Sequence, residues 1–394
     1  IHDDVNKFVW GQQDWDSRQS AESTVREYVR YFIDPDLEQT LTEGILLLED
    51  SWCDPHPIGE NRTVQKAYQL FNDVDARASQ RVKENWRYQQ LLLRALADYY
   101  IQQKQRYDDE LEQQARDYLL HACHIGATQA IRKAFAALNR GVDEPWDARL
   151  RARLLRIADQ LHASCGMKLT THHHDGQRWG RGAWLDMIDT PLNDAQFLRV
   201  TMKHIQRMED EKQKLQAIEQ MLQRTTVQPG EVYIDAGSVQ SREFICTDSR
   251  WELDPSLLHT PFTSVDNRAL DCVHTWTNTW KEQPVPKALL TCILSYYDTP
   301  LTLKIPGDED GVHYKLRIVY GNGGRAQEVR LTCGGGQVIH KQIEPNDTDH
   351  PWREYTIPAG CSENGCLTMT WQPYGKVHGV QISEIFLIKD DRST

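Results

Sequence analysis

The sequence predicts an α+β protein in two parts: an N-terminal α-helical bundle and a C-terminal antiparallel β-sandwich of jelly-roll type. Three observations carry this. Apolar residues recur at helical spacing up to about Leu222, whereas toward the end of the chain they alternate at period two. Turn formers shift as well: residues 1–228 hold five Pro and nine Gly, and the shorter stretch 229–394 holds eleven Pro and fourteen Gly. The polar segment Arg224–Gly230 marks the change, giving regions 1–18, 19–228 and 229–394 in a chain of 394 residues, long enough for two or three cores.

The helices follow in order. Val25, Tyr28, Val29 and Phe32 form one apolar face, opened by Ser20 and stopped at Asp34-Pro35. Leu37, Leu41, Ile45 and Leu48 form the next. Trp86, Leu92, Leu93, Leu96, Tyr99 and Tyr100, continued by Tyr107, Leu111, Ala115, Tyr118 and Leu119, outline one very long helix. Ile131, Ala134, Phe135 and Leu138 give a shorter helix ending at Gly141, and Leu150, Leu154, Ile157, Ala158 and Leu161 another. A long helix is expected from Ala195 to Leu222, its polar face dense in Lys, Glu and Gln as on a solvated surface. Six or seven such helices pack as an antiparallel bundle.

The strands come next. In His313–Tyr320, Tyr314, Leu316, Ile318 and Tyr320 share a face, and Leu367, Met369 and Trp371 alternate with Thr368 and Thr370. Gly323-Gly324, Gly334-Gly335-Gly336 and Asn364-Gly365 supply turns that need positive φ. The first dozen residues fit neither half. Asn6–Trp10 reads as a short strand, which needs partners elsewhere, and a chain that opens on Ile1 with no charged-then-apolar leader reads as a piece of something longer.

Composition narrows the function. With 45 basic and 57 acidic side chains the formal charge is −12, which speaks against a phosphate-backbone binder, so no nucleic acid is expected. The apolar run Gly44–Leu48 is far shorter than the roughly 18 residues a membrane-spanning helix needs. The nine cysteines show no C-x-x-C spacing. Cys361 and Cys366 are close enough in sequence to staple a turn in an oxidising compartment. Asn61-Arg-Thr63 and Asn346-Asp-Thr348 fit the glycosylation pattern.

Neither a dinucleotide or P-loop glycine pattern nor a Gly-x-Ser-x-Gly elbow is present. The carboxylates fall mostly on polar helix faces. His172-His173-His174-Asp175 reads as a loop in which His172 and His174 alone can converge on a metal, and a polar loop is the favoured reading, so no metal is expected. Aromatic residues are the better lead, because sugar rings stack their C–H faces on Trp and Tyr while neighbouring polar groups bond the hydroxyls. The second half offers Trp251, Trp276, Trp280, Trp352, Trp371 and Tyr374. Trp276 and Trp280 lie four apart with His274 and Asn278 nearby, and Trp371-Gln-Pro-Tyr374 runs on to Lys376 and His378. Trp276, Trp280, Trp371, Tyr374 and His378 are therefore the candidate carbohydrate-binding residues, although Trp371 at the end of an alternating strand also fits a core position.

Phe8–Asp16 followed by Val25–Phe32 resembles the exit from the catalytic barrel of large bacterial glycoside hydrolase-like proteins, such as the α-glucuronidase type. Asn85–Ala95 and Trp179–Asn193 are similar to segments of the helical region that follows that barrel. Tyr314–Gly321 and Gly379–Ile388 resemble a galactose-binding-like sandwich of the carbohydrate-binding-module kind. The resemblance implies that residues 1–18 are the edge of an upstream (β/α) barrel and that Trp10, Gln12, Asp14 and Trp15 form a wall of its substrate cleft. It also implies that Arg178, Arg181, Asp186 and Asp189 reach back to that cleft, and that modules of this fold can carry a structural calcium. The sequence departs from such enzymes in lacking most of a barrel, and with it the usual acid and nucleophile.

The expected function is thus the carbohydrate-binding, barrel-supporting C-terminal region of a secreted or periplasmic glycoside hydrolase-like protein, not catalytic by itself. Its partners would be a poly- or oligosaccharide and the upstream barrel, and it needs no cofactor. The alternatives are a self-contained hydrolase with its site between the helical and β regions, and a protein-interaction module using the helix over 195–222.

Overall fold

In the computed structural model these periodicities become helices followed by antiparallel strands. The structure describes residues 3–53, 62–176, 183–189, 193–236, 244, 263–267, 291–295, 300–306, 314–321, 326–345, 352–358, 360–376 and 379–389. Among them the helices are α1 Asp3–Trp15, α2 Ala21–Phe32, α3 Glu38–Cys53, α4 Arg62–Arg77, α5 Gln80–Lys83 and α6 Trp86–Leu120. They continue as α7 Ala122–Ile125, α8 Ala127–Asp143, α9 Ala148–Cys165, α10 Thr171–His174, α11 Ala195–Gln206 and α12 Glu211–Gln223. The strands are β1 Val232–Asp235, β2 Thr263–Asn267, β3 Thr291–Ser295, β4 Leu301–Pro306, β5 Tyr314–Tyr320 and β6 Val329–Cys333. After them come β7 Gln337–His340, β8 Trp352–Thr356, β9 Ser362–Glu363, β10 Cys366–Pro373 and β11 Gln381–Lys389. No helix among the described residues is long and apolar enough to cross a membrane.

The chain divides into two compact units, residues 1–110 with 139–191, and residues 111–138 with 192–394. The first is helical. Ser20 caps α2 by accepting from Ser23 N (3.1 Å), Asp147 caps α9 by accepting from Arg149 N and Leu150 N, and Gly166 ends α9 in the left-handed region. Val25, Val29, Leu41, Ile45, Phe71, Leu93, Leu96, Leu154 and Leu161 share its core. Gly44 lets α3 and α4 approach closely, since a Cβ there would meet Leu70 Cδ2 at 2.9 Å and Phe71 Cε2 at 3.0 Å.

Two expectations are corrected here. Asn6–Trp10 is helical, not a strand. Val5 is buried and Phe8, three residues on, packs against Tyr28 (5.7 Å) and Phe32 (5.5 Å), a helical spacing, while Trp10 faces outward. Asp4 secures α1 by accepting from Tyr28 Oη and Arg87 Nε, both at 2.7 Å. The single helix expected over 195–222 is two: α11 closes with bonds from Arg207 N to His204 O and Met208 N to Ile205 O, and Asp210 then caps α12 through Lys212 N. Both halves keep their apolar face, with Leu198, Met202, Ile205, Ile218 and Met221 in one core with Ile131 and Ala134 of α8. The helix α4 is an ordinary amphipathic one with Val64, Ala67, Phe71 and Val74 buried.

The second unit holds these last helices and a β-sandwich. One sheet has the order β2-β3-β11-β5-β8 with β1 also paired to β11, and the other has the order β4-β10-β6-β7 with β9 paired to β10; every pairing is antiparallel. Leu316, Ile318, Ile385 and Leu387 of the first sheet and Leu303, Ile305, Leu331 and Met369 of the second meet in one core, as facing sheets require. Cys333 is joined to Cys361, with Cα atoms 5.3 Å apart, and Cys366 is free. Cys361 thus bonds Cys333 and not its near neighbour Cys366. Cys333 and Cys361 both point into the core, whereas Cys366 lies on the outward side of β10.

Trp371 is fully buried in this core, which overturns its candidacy as a sugar platform. Its Nε1 donates to Tyr320 Oη (3.0 Å), which is 2.7 Å from His340 Nε2, and the Tyr355 ring lies 4.7 Å from the His340 ring. This polar chain links the two sheets. Burial pushes the His340 imidazole down to about 4, only partly offset by the nearby backbone of Val329 and Gln342, which favours its charge. The unfolded chain binds the same proton near pH 6.5, so it takes it up first as pH falls. Stability is then full above about pH 6.5 and is lost as pH drops through about 4, by on the order of 3 kcal/mol. Urea midpoints between pH 7 and 4 are expected to fall in this way for the native chain and less steeply for His340→Gln; equal slopes would show that other groups carry the dependence.

Candidate functional site

The two outer faces of the sandwich differ. On β1 and β11, Tyr233 faces Phe386 and Asp235 faces Glu384, outward from the core, yet Phe386 and Glu384 are buried. Arg224, at the end of α12, pairs with Glu384 and lies over the Phe197 ring of α11, and Tyr233 Oη donates to the same carboxylate at 2.9 Å. Burial, then Glu384 and Asp235, push the Tyr233 phenol up. Alongside, Arg116 donates to Glu112 (2.7 Å) and Asp194 (3.1 Å), and Asp194 N donates to Glu112 (2.8 Å). Glu384, Glu112 and Asp194 each have an arginine, phenol or amide partner. Such a network fixes helices on a sheet.

On the outer face of the five-stranded sheet, Lys304, Arg330, Thr368 and Gln372 are exposed. Its outward residues follow from the alternation: Thr302 and Lys304 on β4, Thr368, Thr370 and Gln372 on β10, Arg330 and Thr332 on β6. Register places Lys304 opposite Thr368, Thr370 between Thr302 and Thr332, and Arg330 opposite Gln372. Thr302 Oγ1 and Thr370 Oγ1 are 3.1 Å apart.

Tyr374 closes one end of this face. It is 39 % exposed, its N donates to Glu328 O (2.9 Å) and its Oη to Lys341 O (2.8 Å), so the ring is held at both ends. The Arg330 guanidinium lies 6.0 Å from the ring centroid. Gly375 is required beside it: its φ is +69°, and a Cβ would run into the Glu328 carboxylate, which also accepts from Lys376 N (3.2 Å). A fixed, solvent-open aromatic ring flanked by a guanidinium, a carboxylate and an amide can stack on a flat apolar face while bonding hydroxyls at its rim.

Of the sequence candidates among the described residues, Tyr374 lies on this face. Trp276, Trp280, His378 and Arg181 lie outside the described residues. Sequence reasoning missed Arg330, Gln372 and Glu328. The polar side of β10 was visible as the Thr members of the alternation, but choosing the open sheet needs the strand pairing.

The remaining candidates belong to the first unit. Trp10 and Trp15 are 63 % and 91 % exposed on α1, and Asp14 is exposed beside them. Asp186 accepts from Thr171 N (2.8 Å) and Oγ1 (2.7 Å), and Asp189 accepts from Tyr100 Oη (2.5 Å) and Arg151 Nε (2.6 Å), so both carboxylates are committed to helical partners. The histidine segment is a helical turn capped by Thr170, not an extended loop. His172 is exposed while His174 is buried against Thr170, Asp159 and the His162 ring, so the pair does not converge. Among the described residues no group of three or more His, Cys, Asp and Glu suits a metal ion.

A second cluster was not anticipated. On α6, Lys104 and Asp108 are 2 % and 3 % exposed, and Lys104 Nζ donates to both Asp108 oxygens at 2.6 Å. Burial pushes the Asp108 carboxyl up to about 7 against the pull of Lys104, with Asp109 and Asp189 adding to the rise. In comparisons with known proteins, no protein-family model matches the chain, and no curated protein is significantly similar to it.

Proposed function

We propose that this chain is the carbohydrate-binding, barrel-supporting region of a secreted or periplasmic glycoside hydrolase-like protein. Its sandwich would be of the jelly-roll, galactose-binding-like type, with the glycan on the open face of the five-stranded sheet. One observation supports this above the rest: the Tyr374 ring is clamped at both ends yet open to water, with Arg330, Gln372 and Glu328 around it. The Cys333–Cys361 bond fits an oxidising compartment.

Affinity electrophoresis against plant, fungal and microbial polysaccharides tests the reading. Retardation by at least one of them is expected, and Tyr374→Ala is expected to weaken it by about tenfold, or about 1.4 kcal/mol. Free migration through every gel would overturn it. The exposed Trp10 and Trp15 support a second contact, with an upstream catalytic barrel. The barrel supplied as a separate polypeptide is expected to co-purify with this chain, and Trp15→Glu to break the complex; no complex with either form would refute that contact.

A further inference from the structure

The polar face beyond Tyr374 continues along the whole of β10. Thr370 and Thr368 follow at two-residue steps, Thr302 and Lys304 extend the rows onto β4, and Arg330 and Thr332 extend them onto β6. No outward aromatic or bulky aliphatic residue interrupts β4, β6 or β10 between Thr368 and Tyr374. From this we infer that the site takes an internal stretch of a linear, extended glycan lying along β10, with Tyr374 stacking one sugar and the Thr368–Lys304 row bonding the far end. The inference rests on the carbohydrate reading above.

Length and shape both bear on it. From Thr368 to Tyr374 is six strand steps; at ~3.3 Å each this is about 20 Å, the length of about four linked pyranose rings. A pocket for a chain terminus is concave and encloses its ligand, whereas the outward residues here lie in register on neighbouring strands with hydroxyl groups at their tips. An extended chain can follow that row and leave at both ends.

Calorimetric titration of the full chain with cello-, manno-, xylo- and malto-oligosaccharides of increasing length tests this. For the series that binds, affinity is expected to climb with each added sugar and level off at about four, as the ~20 Å row requires. Lys304→Ala combined with Thr368→Val, both at exposed positions, is expected to reduce affinity for the longer members several-fold, to leave the shortest binding member unchanged, and to melt like the native chain. A monosaccharide that binds as tightly as its oligomers, or a double variant that binds long chains like the native protein, would overturn the extended site while leaving glycan binding at Tyr374 standing. Binding of no member, together with free migration in polysaccharide gels, would overturn both.

Discussion

Replacing Trp371 by alanine is expected to destabilise the sandwich by about 3–5 kcal/mol, the cost of emptying a large buried aromatic site. The indole is fully enclosed between the sheets, and its Nε1 supplies the proton that Tyr320 Oη accepts. Alanine removes the packing and also leaves the Tyr320–His340 pair without its donor, in an interior where an unmade hydrogen bond is costly. Trp371→Phe keeps most of the ring and loses only the donor, so a smaller loss is expected. Urea denaturation followed by circular dichroism measures both. The same variants discriminate between a core and a binding role: below its melting transition, Trp371→Ala should still bind whatever glycan the native chain binds, because Tyr374 and Gln372 lie on the opposite side of β10. Stability like that of the native chain combined with lost binding would reverse this assignment.

That outcome also shows where the sequence stops being informative. Period-two alternation separates Leu367, Met369 and Trp371 from Thr368 and Thr370 correctly, but it does not say which sheet of a sandwich is covered. Here the covering of β1 and β11 comes from Arg224 and Phe197, both distant in sequence from β11. Arg330 and Tyr374 are likewise brought together by antiparallel pairing of β6 with β10, and nothing in their spacing announces it. The helical half was more legible because each helix carries its own stripe: Val25, Tyr28 and Val29 are buried as their spacing requires.

A short pattern can fit two periods. Phe8 and Trp10 alternate like strand residues, yet Val5 and Phe8 make a helical step, and the contacts of Phe8 with Tyr28 and Phe32 decide in favour of the helix. The apolar stripe over 195–222 continues across the break between the two helices, so periodicity alone misses the stop at Arg207 and the new cap at Asp210. Lys104 and Asp108 look like a solvated i, i+4 pair and are buried instead. Burial of that pair is a tertiary fact that the helix's own sequence does not contain.

Lys104→Met is therefore expected to behave unlike an ordinary surface substitution, its cost rising by about 1.4 kcal/mol between pH 7 and pH 8 because it strands a buried carboxylate. In the native chain the ammonium opposes the burial that raises Asp108, whose carboxyl still stands at about 7. Without the ammonium the folded carboxyl holds its proton to still higher pH, while the unfolded chain releases it near pH 3.9. Over that interval the folded state binds more protons than the unfolded one, so stability falls as pH rises. The native chain shares that fall up to about pH 7, so the extra penalty of the variant should stay nearly constant below about pH 7 and grow only above it, where the native carboxyl is ionised and the variant's is not. Lys104→Met combined with Asp108→Leu removes both charges and is expected to return to native stability or exceed it, as well-packed apolar replacements of buried pairs do. Urea midpoints at pH 5 and pH 8 for the three proteins separate these outcomes. A loss of the same size at both pH values would mean that Lys104 contributes through the packing of its methylene stem on α6, and the double variant would then be no better than the single one.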